Sequence, residues 1–93
     1  MNSNISSIIE ERARTELERR FPDWRVTVQV RVEAEAHYHL LADGVSIINM
    51  AQWLAVVAAV TPNGYVGVGA EVGALTGAQV WFVPESEVVG GAA

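Results

Sequence analysis

The 93-residue chain contains no cysteine and no lysine. Without thiols it can have no disulfide framework and no thiolate metal site. Its six basic residues are all arginine, and the last of them is Arg31. From Val32 to Ala93 there are six carboxylates and no arginine. Two-thirds of the chain therefore presents a negative field, which repels phosphate backbones and attracts basic surfaces. Direct nucleic-acid binding is not expected. Long apolar runs are missing too: Val45 to Val60 falls short of a membrane span and contains Ser46, Asn49 and Gln52. The opening MNSNISSIIEERARTE lacks the basic segment, apolar run and cleavage site of a secretory leader. A cytoplasmic protein that does not enter the membrane is expected.

Half of the residues, 51%, are hydrophobic and only 18% are charged, which argues for a folded domain. The length allows one domain, residues 1–93, with residues 84–93 read as a loose tail after Pro84.

The pattern of hydrophobic residues points to an α+β fold. Ile5, Ile8, Ile9, Ala13, Leu17 and Phe21 recur at three- and four-residue spacing, the stripe of an amphipathic helix that Pro22 ends. Ser7 with Glu10 suits a capping box, and Arg12–Glu16 and Arg14–Glu18 can pair along the wet side. Next comes RVTVQVRVEAEAHYHL, residues 25–40, in which every even position is apolar and every odd one polar. Strict alternation is the signature of a strand with one buried face. A strand this long must bend or bulge, most naturally near Ala34 and Ala36; a helix over residues 33–42 is the rival for its second half.

Asp43-Gly44 and Thr61-Pro62-Asn63-Gly64 are turn signals on either side of residues 45–60. Read as a strand, 45–60 completes an antiparallel meander with residues 65–74, placing Leu54 between Glu33 and Glu71. In that register Val66, Val68, Ala70, Val72 and Ala74 join the valines of the first strand on the core face. Read as a helix, 49–60 is capped by Asn49 and Gln52, and its alanines count against a strand. Ala78 to Val83 forms the last strand. The expected architecture is an N-terminal amphipathic helix packed on a curved antiparallel sheet, with a second helix at about 49–60 as the alternative.

Candidate functional residues follow from the polar row. Glu33, Glu35, His37 and His39 occupy alternate positions, and a His-x-His pair on a strand can aim two imidazoles at one metal ion. No glutamate follows at a useful spacing, so a solvated face is expected, with no metal and no cofactor. Gly67-Val68-Gly69 lacks both the spacing and the following helix of a dinucleotide loop. None of the serines lies in a nucleophile elbow, so no catalytic residue is assigned and the protein is not read as an enzyme.

Trp53 is expected in the core and Trp81 on the outer side, beside other apolar residues such as Leu54. These features suggest a small, acidic, non-enzymatic protein-binding module. The partner-binding residues would be Glu33, Glu35, Glu71, His37, His39, Leu54 and Trp81, the partner a protein with a basic surface, and the module itself a homodimer. An inhibitor occupying a basic nucleic-acid-binding groove is one concrete form. Small acidic inhibitors of bacteriophages, some anti-CRISPR proteins among them, offer an analogy of size and charge. Two other readings are a structural subunit that self-associates through its sheet and a small metal-dependent enzyme built on His37 and His39.

Overall fold

The computed structural model describes residues 3–44, 48–73 and 77–92. Its elements are α1 (Ser3–Arg20), β1 (Thr27–Ala34), β2 (His37–Asp43), α2 (Met50–Val60), β3 (Tyr65–Gly73), β4 (Gly77–Pro84) and α3 (Glu85–Ala92). The four strands form one antiparallel sheet in the order β1-β2-β4-β3. The fold is α+β, with the N-terminal helix on an antiparallel sheet.

Helices α1 and α2 cover one face. Ile9, Ala13 and Leu17 from α1 and Trp53, Val56, Val57 and Val60 from α2 are buried against Val28, Tyr38, Leu40, Ala42, Ala78, Val80 and Phe82. The spacing of Ile9, Ala13 and Leu17 is the stripe read from the sequence, and the even-numbered strand residues supply the opposing surface. Ser7 and Glu10 do not cap α1, since both lie inside it. Glu10 instead bonds Arg14 at 3.0 Å, while Glu16 bonds Arg19 at 2.7 Å and Arg20 at 3.1 Å. Each glutamate precedes its arginine, the stronger order for helical ion pairs and the reverse of the pairing expected.

Of the expected third strand, 45–60, residues 45–47 lie outside the described residues and residues 48–60 form no strand. Asn49 and Gln52 make a reciprocal capping box: Asn49 Oδ1 accepts from the Gln52 backbone and Gln52 Oε1 accepts from the Asn49 backbone. Two backbone donors at the helix start are thereby satisfied, and the alanines extend what the cap begins. β2 accordingly ends at Asp43, and the next described element is α2, not a strand paired with β2. Residues 74–76, which include Ala74 of the expected core face, lie outside the described residues.

The long alternation of residues 25–40 is a hairpin folded back on itself. Glu35-Ala36 forms the turn, with Ala36 at φ 58, close to the bend expected at the alanines; no helix forms over 33–42. A two-residue turn pairs Ala34 with His37, which would set odd positions opposite even ones. One extra residue in β1, Glu33, corrects this, so Val32 pairs with Tyr38 and all further pairs match in parity. The bulge is why alternation survives the turn.

Strand β3 carries a second bulge. Val68 pairs with Trp81 and Glu71 with Gln79, leaving Gly69 and Ala70 opposite Val80 alone. Gly69 takes φ 64, a conformation open to glycine at little cost. As a result Val66 and Val68 turn outward, contrary to their expected place on the core face, while Ala70 and Val72 pack against the core. Before the bulge Gly67 faces α2, and a Cβ there would stand 2.8 Å from Val57 Cγ1. Within the segment expected as a loose tail, Glu85–Ala92 is helical. Among the described residues no helix is long and apolar enough to cross a membrane.

Candidate functional site: the open face of the sheet

The odd-numbered residues of β1, β2 and β4 point away from the helices, toward a face that α1 and α2 leave uncovered. Two rows cross it. Gln29, Leu41, Gln79 and Glu71 are successive cross-strand neighbours, as are Arg31, His39, Trp81 and Val68. The sequence reading placed Leu54 between Glu33 and Glu71; the residues that stand between them are His39 and Gln79. Leu54 lies on α2, on the opposite side of the sheet, and belongs to no shared surface with the two glutamates.

A polar chain links the sheet's two edges. Glu71 on edge strand β3 accepts from Gln79 Nε2 at 3.0 Å. A carboxylate only accepts, so the amide nitrogen of Gln79 must face Glu71 and its oxygen must face His39. That oxygen is 2.9 Å from His39 Nε2, which therefore carries the proton and donates. The imidazole lies flat against the Trp81 indole, with ring centres 4.1 Å apart and planes 4° apart. Although it sits on the polar side of the sheet, His39 is only 7% exposed. Its second nitrogen, Nδ1, is 3.2 Å from Glu33 Oε1 on the other edge strand. That contact lacks hydrogen-bond direction, so Nδ1 is buried without a hydrogen bond among the described residues. Each terminal carboxylate lies beside an edge-strand bulge, a position from which a bulge re-aims a side chain.

The other expected site residues are distributed around this chain. Trp81 does lie on the outer side, but half-buried between His39 and the backbone near Gly69, where a Cβ would come within 3.0 Å of its ring. Glu35 occupies the exposed turn and does not continue a straight row from Glu33. His37 Nε2 meets both carboxylate oxygens of Glu87 on α3 at 2.9 Å. The two histidines thus have separate partners, and among the described residues no group of three or more His, Asp or Glu could hold a metal ion.

Gln79 and Glu87 were missed as site residues. Gln79 had a visible signal, the single polar residue within an otherwise apolar last strand. Glu87 had none, because its role depends on α3 following β4 without a break. On the far side of the molecule a groove of about 390 Å³ runs between α1 and α2, lined by Ile8, Glu11, Arg12, Thr15, Glu16 and Ala59.

The fold and this face define a small α+β domain with one packed and one open sheet surface. Compared with protein families, curated proteins and solved structures, the chain has no match.

Proposed function

We propose that the protein is a non-enzymatic binding module whose open sheet face captures a basic protein surface, working as a homodimer in the cytoplasm. The observation that carries this reading is the Glu33–His39–Gln79–Glu71 chain. It orients the Glu71 carboxylate at one edge and has Glu33, 3.2 Å from His39, at the other, about a face whose centre is the half-buried Trp81 flanked by Val68. Oriented charges around an aromatic centre are the usual composition of a recognition surface. Catalysis would need a base open to a pocket, whereas His39 gives its Nε2–H to Gln79 and its other nitrogen, Nδ1, is buried. Arg31 is the one arginine in the open rows, so the face keeps its acidic character. A nucleic-acid-binding groove is the concrete partner surface, because its cations are spaced for phosphates and accept a row of carboxylates.

The test is affinity capture from a host lysate, with the wild-type chain and the Glu33→Lys, Glu35→Lys, Glu71→Lys variant as parallel baits. A protein held by the first and lost by the second is then offered DNA or RNA in competition. Displacement of the nucleic acid by the wild-type chain is the expected result. Equal capture by both baits refutes the acidic-face reading.

A further inference from the structure

Helix α2 contains no charged residue in its 11 positions. Four of these, Trp53, Val56, Val57 and Val60, are core, yet the outward side is almost wholly apolar: Met50, Ala51, Leu54, Ala55, Ala58 and Ala59 are exposed, with Gln52 the one polar exception. Met50 is 42% and Leu54 49% exposed, and across the groove Ile8 of α1 is 38% exposed. Three of the seven large apolar residues that are exposed among the described residues thus lie on this helical side, and with the alanines they suit a contact surface.

We infer that this helical side is the homodimer interface, with α2 lying antiparallel to α2 of a second copy. The inference rests on the two-copy part of the proposed function and is independent of the acidic face. Three observations choose a second copy as occupant. The first is charge balance. α1 carries four glutamates and four arginines and α2 carries none, so the helical side is neutral although the chain has a net charge of −5. Two copies can meet there without the repulsion that their open faces would cause.

The second is self-complementarity. Glu10, Arg14, Glu16, Arg19 and Arg20 are consumed in pairs within α1, whereas Glu11 and Arg12, which line the groove, have no ion pair among the described residues. Adjacent charges of opposite sign are the arrangement a two-fold axis satisfies, each Glu11 meeting Arg12 of the other copy. The third is length. An 11-residue helix is about 16 Å long, too short alone for the roughly 800 Å² per partner of a stable interface. The contact must extend over the groove onto α1, which brings Ile8 into its core and Glu11 and Arg12 to its rim. Alanines at 51, 55 and 58 allow the two backbones to approach, and Leu54 packs beside its own copy.

Sedimentation equilibrium of the purified chain tests this, with circular dichroism to confirm that each variant is folded. The wild type is expected at twice the monomer mass at micromolar concentration. Leu54→Glu should weaken dimerisation by at least about tenfold, since it places two carboxylates in an apolar centre. Arg12→Glu should weaken it several-fold, and adding Glu11→Arg to that variant should restore it. A wild-type monomer at all accessible concentrations overturns both the dimer and its surface. A dimer that survives both Leu54→Glu and Arg12→Glu overturns the surface while leaving a dimer in place.

Discussion

The two faces of the sheet solve opposite problems with the same strands. The covered face is made chiefly of apolar side chains, and one tryptophan, Trp53, fills its centre while donating Nε1–H to Gln79 O at 3.0 Å. The open face is held by directed polar contacts around another tryptophan, Trp81. Gln79 serves both: its backbone carbonyl receives Trp53 and its side chain orders His39 and Glu71. Nonpolar burial stabilises one face, and hydrogen-bond direction sets the arrangement of the other. Changes on the first should therefore cost stability, and changes on the second should alter what the protein can bind.

The largest effect is expected from Trp53→Ala, which empties a fully buried site and leaves Gln79 O without its donor. A loss of about 3–5 kcal/mol is expected in urea unfolding, enough to unfold much of a domain this small. Next comes Gly67→Ala. Its Cβ would press on Val57 and Val80, forcing α2 off β3, with an expected cost of about 1–3 kcal/mol.

Gln79→Leu sharpens the comparison, because it spares the core but leaves His39 Nε2 without an acceptor. It should cost about 1–3 kcal/mol. Nitrogen-15 NMR should then show that His39 no longer holds its proton on Nε2 alone. An unchanged tautomer would mean that Gln79 does not set the ring.

Smaller effects are expected outside both centres. Asn49→Ala removes half of the capping box and should cost about 1 kcal/mol. Glu16 is a pH-sensitive case: its hydrogen bonds from Arg19, and then from Arg20, hold its carboxyl below the usual value. A carboxyl that is more acidic when folded adds stability above its unfolded pKa, and loses it as pH falls through the folded one. Glu16→Gln should flatten that acid limb of the stability curve and leave the alkaline limb unchanged.

Residues 25–40 explain how much of this was legible in the sequence. Their alternation correctly placed Val28, Tyr38 and Leu40 in the core and Val26 and Val30 against it, although Val32 is 58% exposed; it continues unbroken through a hairpin because the Glu33 bulge restores parity after the Glu35-Ala36 turn. Periodicity alone could not reveal the reversal, which is what brings Glu33 beside His39. At Gly69 the same device hid the outward turn of Val66 and Val68. For residues 45–60, apolar residues at both parities suited a strand or a helix, and the Asn49–Gln52 pair was the decisive local signal. Glu33, Glu71, His39 and Trp81 were legible as outer-face residues; their links through Gln79 depend on β2 lying next to β4, which no local pattern states.

The most direct test of the acidic face is the salt dependence of binding between the chain and its captured partner. For the wild type, affinity should fall steadily as ionic strength rises, since screening weakens the pull of Glu33, Glu35 and Glu71 on a basic surface. In the triple lysine variant, which should remain folded, affinity should be lowest at low salt and approach the wild-type value at high salt. Equal affinity of the two chains at low salt would contradict the account, leaving the carboxylates of the open face no part in recognition.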